Sequence, residues 1–159
     1  MEQKKMARWL KCIVIGLGLC GLYVYLDVLP GYGHSIVHRF PEFSSFYEPW
    51  LIFLCITAIP VYVALYYAWK VFTNIGNDNS FCIDNANYLK YISWLAAGDA
   101  AYFFIGNVVL AFCNMNHPGI ILYSLVIIFL GVAVSIACAA LSHLIVKAAK
   151  LQDESDLTV

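Results

Sequence analysis

Asp99 is the residue whose chemistry fits its surroundings least. It stands in Gly98-Asp99-Ala100-Ala101, deep in an apolar stretch. A charged carboxylate at the centre of a membrane helix costs at least about 2.5–3.5 kcal/mol, so the group must be neutral, partnered or open to water. A proton or cation site is the functional reading. A neutral acid hydrogen-bonded across the helices is the simpler one, and is preferred. Gly106, seven residues on, shares the helical face of Asp99, and Asn107 lies one step round. Asp99 and Asn107 therefore form the candidate intramembrane polar site, on a side expected to face the interior.

A second constellation is His34, His38 and Glu42, spaced four apart. On a helix these would share one face and could ligate a metal. Pro30, Gly31 and Gly33 argue against helix at its start, and nothing supplies a fourth ligand. A polar loop at the lipid headgroup surface is the preferred reading, with no metal or cofactor expected. Asp27 reads as an interfacial cap. His143 reads as a partner for the dipole at a helix C-terminus. The six cysteines are scattered without a C-x-x-C pair, which argues against a disulfide framework or a thiol redox site. Cys113, beside a short loop, is the one whose oxidation merits checking. No nucleophile–base pair, phosphate-cradling loop or H-E-x-x-H motif occurs, so no enzyme activity is expected.

The elements that must position these residues follow from composition. Apolar residues make up 62% of the 159-residue chain and charged residues 12%, with a mean hydropathy of +0.77. Soluble domains run at roughly 45–50% and about 25%. Lipid is the solvent such a chain requires, and each span must be helical because hydrocarbon offers the backbone no partners. Four apolar stretches appear, at about residues 9–29, 50–72, 88–112 and 119–146. The pattern predicts an all-α, polytopic membrane four-helix bundle forming a single domain. Pro30, Gly31 and Gly33 are expected to end the first span. Pro60 is expected to kink the second. A polar hinge over 73–87 and an acidic tail over 147–159 complete the chain.

Orientation comes from the basic residues. Eight of the nine (Lys4, Lys5, Arg8, Lys11, Lys70, Lys90, Lys147 and Lys150) fall on one side of the four-span arrangement, and only Arg39 on the other. The positive-inside bias places both termini and the hinge in the cytoplasm. A formal net charge of −1 gives no case for direct nucleic-acid binding. Gly131, Ser135 and Ala139 form a small-residue stripe, with Gly16 and Cys20 as a shorter version in the first span. Packing within the bundle is favoured over a homo-oligomer face.

Two segments near the basic side carry the remaining signal. The hinge ends in Phe81-Cys82-Ile83-Asp84-Asn85, followed by Leu89 and Lys90. Asp84 and Asn85 suit the first turn of a helix, where a carboxylate meets the positive dipole end, and Phe81 can pack back as a staple. The tail ends in Asp156-Leu157-Thr158-Val159. In these segments the chain resembles the small four-span bacterial membrane proteins known as domain of unknown function twenty-nine seventy-five. Members carry a hinge of the form Phe-[Ser/Thr]-x-[Glu/Asp]-Asn before a basic, leucine-containing helix, and end in an acidic stretch followed by Asp-Leu-Thr-[Ile/Val]. Cys82 departs from that pattern, and a thiol is a poorer helix cap than a hydroxyl. The resemblance implies no established activity. It implies an expected partner, because genes of such proteins often neighbour those of small helix-turn-helix regulators. Phe81, Asp84, Asn85, Asp156, Leu157, Thr158 and Val159 are accordingly the candidate partner-docking residues. The tail could add as a strand to a partner's sheet edge or dock its carboxylate in a backbone nest. It could equally cap the fourth helix against the hinge.

Overall fold

The structure, a computed structural model, describes residues 3–115 and 118–156. Helix α1 (Gln3–Tyr23) passes through a π-turn (Val24–Val28) into α2 (Leu29–Arg39). A 3₁₀ turn (Pro41–Phe46) leads to α3 (Tyr47–Gly76), which is followed by α4 (Ile83–Phe112) and α5 (Pro118–Asp156). Four helical stretches, Gln3–Arg39, Pro41–Gly76, Ile83–Phe112 and Gly119–Gln152, are long and apolar enough to cross a membrane. At about 1.5 Å per residue even the shorter ones exceed a hydrocarbon core of roughly 30 Å.

Pro30 does not end the first span as its sequence context suggests. The π-turn lies immediately before it, and the Leu29 amide bonds five residues back to the Val24 carbonyl. That wider turn re-registers the helix so that Pro30 falls in the first positions of α2, where a missing N–H leaves no gap in the ladder. Asp27 sits exposed within the π-turn. Pro60 likewise lies inside α3 without ending it. The fourth helix runs ten residues past the expected span end, to Asp156. His143 is therefore mid-helix and exposed, far from any C-terminal dipole.

Among the described residues the helices pack in chain order, α1 on α3, α3 on α4 and α4 on α5, and α1 makes no substantial contact with α5. Among these residues the four spans of the expected bundle thus pack as a row. Lipid chains are as apolar as leucine, so nothing in hydrocarbon forces a ring of helices to close. Each seam must be built locally. Between α4 and α5 it runs on a heptad pattern: the Ser142 hydroxyl donates to the Ala86 carbonyl (2.7 Å), and the Ser135 hydroxyl to the Ser93 carbonyl (2.9 Å). Further along, a Cβ on Gly131 would touch Ala100, and the Ser124 hydroxyl donates to Asn107 Oδ1 (3.0 Å). On α4 these contacts recur every seven residues (Ala86, Ser93, Ala100, Asn107), and on α5 at spacings of seven, four and seven (Ser142, Ser135, Gly131, Ser124), the heptad pattern of a shallow left-handed crossing. Ala139, expected in this stripe, is exposed, and Ser142 holds the place instead.

The α3–α4 seam is aromatic. Tyr67 packs on Tyr88 and Tyr91 near one end, and Phe53 on Tyr102 and Phe103 near the other. The α1–α3 seam uses Gly18 and Gly21, which make room for Tyr62, whose hydroxyl donates to the Gly18 carbonyl (2.7 Å). Gly16 and Cys20, the small pair picked out in the sequence, are exposed on other faces of α1.

Gly106 is the tightest point, because a Cβ there would collide with the Phe53 ring, which is already confined by Phe103 and Tyr102. Gly106→Ala should destabilise the protein by about 1–3 kcal/mol. Gly98→Ala meets open space and should be neutral or stabilising, since alanine gains up to about 1 kcal/mol of helix propensity. Thermal unfolding of both variants in detergent separates the two directions.

Candidate functional site

The turn between α3 and α4 is the most highly specified part of the basic end. Helix α3 closes with a pair of backbone bonds, Asn79 N–H to the Asn74 carbonyl (3.0 Å) and Asp78 N–H to the Ile75 carbonyl (3.2 Å). Asp78 takes the left-handed conformation this closure requires, at φ 60°. The chain then reverses into α4, whose N-cap is Cys82, with extended backbone and no side-chain cap bond.

The side chain of Asn85 is fully buried at 0% exposure. It accepts from Asn74 Nδ2 (2.8 Å) and donates to the carbonyls of Asn79 (3.2 Å) and Ser80 (3.0 Å). Three of the four hydrogen-bonding positions of this amide are therefore used inside the turn. Asn74 also reaches the Cys82 sulfur at 3.7 Å. Two amides thus tie the end of α3 to the start of α4. The Asn85 side chain is interior and braces the hinge rather than facing a partner.

What the brace holds outward is different in character. Phe81 is 58% and Ile83 49% exposed, with Asp84 exposed in the first turn of α4. The N-terminus of α1 meets the same end: the Ser80 hydroxyl donates to Gln3 Oε1 (3.3 Å), and a Cβ on Gly76 would lie 3.1 Å from Ala7. Lys11 stands over the Trp69 ring at 5.0 Å and Lys70 over Tyr66 at 5.4 Å. The tail reaches this end as continued helix. Asp156 closes α5, while Leu157, Thr158 and Val159 lie outside the described residues.

The intramembrane pair is not brought together. Asn107 faces α5 through Ser124 and also donates to the Phe103 carbonyl (2.8 Å). Asp99 shares the face of Tyr102 and Gly106 that meets α3, and lies within electrostatic reach of Tyr102 and of Tyr25 from the π-turn. The Tyr25 hydroxyl in turn pairs with Thr57 (2.8 Å). One Asp99 oxygen, Oδ1, is buried without a hydrogen-bond partner among the described residues. Sequence spacing missed Asn74 as the partner of Asn85. It also missed the Tyr25–Thr57 pair, whose only sequence signal is polar atoms inside apolar runs. Among the described residues no three His, Cys, Asp or Glu side chains are placed to share a metal ion. His34 packs on the Tyr47 ring at 4.7 Å, and Glu42 lies beyond the end of α2 in the 3₁₀ turn.

Comparison with known proteins places the chain among relatives of the same kind. A family described as "Protein of unknown function (DUF2975)" matches residues 32–159. An "Uncharacterized membrane protein YoaS" of Bacillus subtilis (strain 168) is 30% identical over 149 residues, covering 92% of each chain. No solved structure matches.

The brace gives opposite expectations for neighbouring substitutions. Asn85→Ala leaves buried carbonyls unpartnered and should loosen the turn by about 1–3 kcal/mol. Cys82→Ser restores a capping hydroxyl and should tighten it by about 0.5–2 kcal/mol. Amide hydrogen exchange over 74–86 should accelerate in the first variant and slow in the second.

Proposed function

The chain belongs to the DUF2975 family and is a multi-pass bacterial membrane protein, and from that premise we propose that it is a non-enzymatic regulatory protein that docks a soluble partner at its basic end. The observation that carries this reading is the buried Asn85 amide. It fixes the α3–α4 turn so that Phe81 and Ile83, two large apolar side chains, stand exposed beside Asp84. A preformed turn spares a partner the entropy of ordering it.

This end is cytoplasmic in the proposal. Eight of the nine basic residues gather there, and the start of α1, the α3–α4 turn and the end of α5 share it. At about 1.5 Å per residue the 39 residues of α5 span roughly 58 Å, nearly twice the hydrocarbon thickness. The helix therefore carries the acidic sequence Asp153-Glu154-Ser155-Asp156 clear of the bilayer. Acid on a projecting helix complements a basic DNA-binding surface. A small helix-turn-helix regulator, the partner the family resemblance implies, fits both the charge and the apolar turn.

A second reading has its own observation, the partnerless Asp99 Oδ1 among Tyr25, Tyr102 and the Tyr25–Thr57 pair. It makes the protein a small proton- or cation-coupled transporter with Asp99 as the exchanging group.

Deleting Asp156–Val159 together with Phe81→Ala should abolish co-purification of a cytoplasmic regulator from the native host while membrane insertion persists. Undiminished capture by this variant would sink the docking reading. A reporter fused after Val159 should be active only as a cytoplasmic fusion. For the transporter reading, Asp99→Asn should remove a pH- or cation-dependent flux from proteoliposomes, and a wild-type protein without such flux rules it out.

A further inference from the structure

At the end opposite the lysines a cavity of about 770 Å³ opens between α2, the 3₁₀ turn, the first turn of α3 and the start of α5. Its volume falls in the range of ligand sites, roughly 300–1,000 Å³. The helices that border it, α2 and α5, make no substantial contact with each other. It is the gap where the row of helices fails to close.

The walls are built. A 3₁₀ helix has three residues per turn, so side chains three apart stand above one another. Phe40, Phe43 and Phe46 have that spacing, and their rings meet edge-on at 6.3 Å and 6.5 Å. This makes one continuous aromatic face, and Tyr123 of α5 lines the same cavity. The floor is fixed by Gly33, which is buried because the Tyr47 and Trp50 rings occupy the space a Cβ would take. That close approach pins α2 to α3.

Two charges line this otherwise apolar cavity, Arg39 and Glu42. Arg39 is the single basic residue outside the lysine-rich end. Both side chains are exposed, and among the described residues neither makes an ion pair. A ligand that answers this lining has an apolar body and a head carrying both signs. The cavity sits at the end of the spans opposite the lysines, the end at which a spanning bundle meets lipid headgroups. We propose that it binds a zwitterionic aminophospholipid of the surrounding bilayer, phosphatidylethanolamine. The phosphate lies on Arg39, the primary ammonium on Glu42, and an acyl chain against the Phe40–Phe43–Phe46 face. An anionic lipid without the amine leaves Glu42 unanswered and repelled.

Native mass spectrometry of the full chain, released from nanodiscs of equal phosphatidylethanolamine and phosphatidylglycerol content, tests this. The wild type should retain phosphatidylethanolamine about tenfold over phosphatidylglycerol, the selectivity expected of one charge-assisted contact. Glu42→Gln should abolish that preference while phospholipid is still retained, and Arg39→Gln should reduce retention of both. Each substitution is at an exposed position, so the fold tolerates it, and the unchanged thermal midpoint of each variant verifies this. Soluble phosphoethanolamine at matched concentration should not displace the lipid. Equal retention of the two lipids by the wild type, a Glu42→Gln ratio equal to the wild type's, or displacement by the free headgroup would each overturn the proposal.

Discussion

Helices in hydrocarbon gain nothing from hiding apolar side chains from one another, and this constraint shapes the contacts between the spans. Large residues such as Leu122, Phe129 and Ile136 on α5 stay exposed because lipid is as good a neighbour as another helix. What remains to hold helices together is close approach and hydrogen bonding. The α4–α5 seam shows both. Its hydroxyl contacts average about 0.6 kcal/mol each in membrane proteins, too little to define a crossing alone. Their role is to fix the register of a seam whose small residues, Ala86, Ala100 and Gly131, let the backbones approach and gain dispersion along their length. The same constraint explains the open row: with no force closing the ring, α1 and α5 remain on opposite edges.

Outside the hydrocarbon the rules change, and so does the construction. At the α3–α4 turn the backbone must reverse within six residues, Asn77 to Cys82. Both α3 and α4 end in the same two-bond closure, with Asp78 and Asn114 in the left-handed conformation that glycine ordinarily takes. Short polar side chains tolerate this conformation better than others. The α3–α4 turn adds a buried amide, Asn85, that the α4–α5 turn has no counterpart for among the described residues. A structure that spends a fully buried polar side chain on one turn specifies that turn's geometry beyond what connecting two helices requires.

Much of this was legible in the sequence. The four spans follow from hydropathy and length, and Asp84 in the first turn of α4 follows from the dipole. The small-residue stripe of the fourth span was correct at Gly131 and Ser135, but a spacing of four led to Ala139. From Ser135 the seam steps seven residues to Ser142, where the next hydroxyl meets the α4 backbone in a heptad pattern. Pro30 was misread for a related reason. Its meaning depends on the turn before it, and a π-turn has no composition signal. The site was less legible. Asn85 read as a first-turn residue free to dock a partner, since only the fold reveals that Asn74, Asn79 and Ser80 converge on it. Asp99 and Asn107, adjacent on a helical wheel, look to different neighbours. A wheel gives direction around one helix and says nothing of which helix stands there.

The division of labour between the two ends follows from these observations. Helix α3 reaches from the aromatic cavity, where Tyr47 and Trp50 pack on Gly33, to the braced turn, where Asn74 holds Asn85. Between them lies its least regular stretch. Pro60 removes a backbone bond there, the Thr57 hydroxyl bonds back to the Leu54 carbonyl (2.6 Å), and the π-turn of the first span lies alongside through Tyr25. The partnerless oxygen of Asp99 belongs to this same region. Two well-packed ends joined by a middle rich in irregular backbone and polar atoms is the arrangement in which one helix can bend without either end being dismantled. Phe53 on Gly106 and Tyr62 on Gly18 hold α3 on the two sides of Pro60, so the irregular stretch is anchored before and after it.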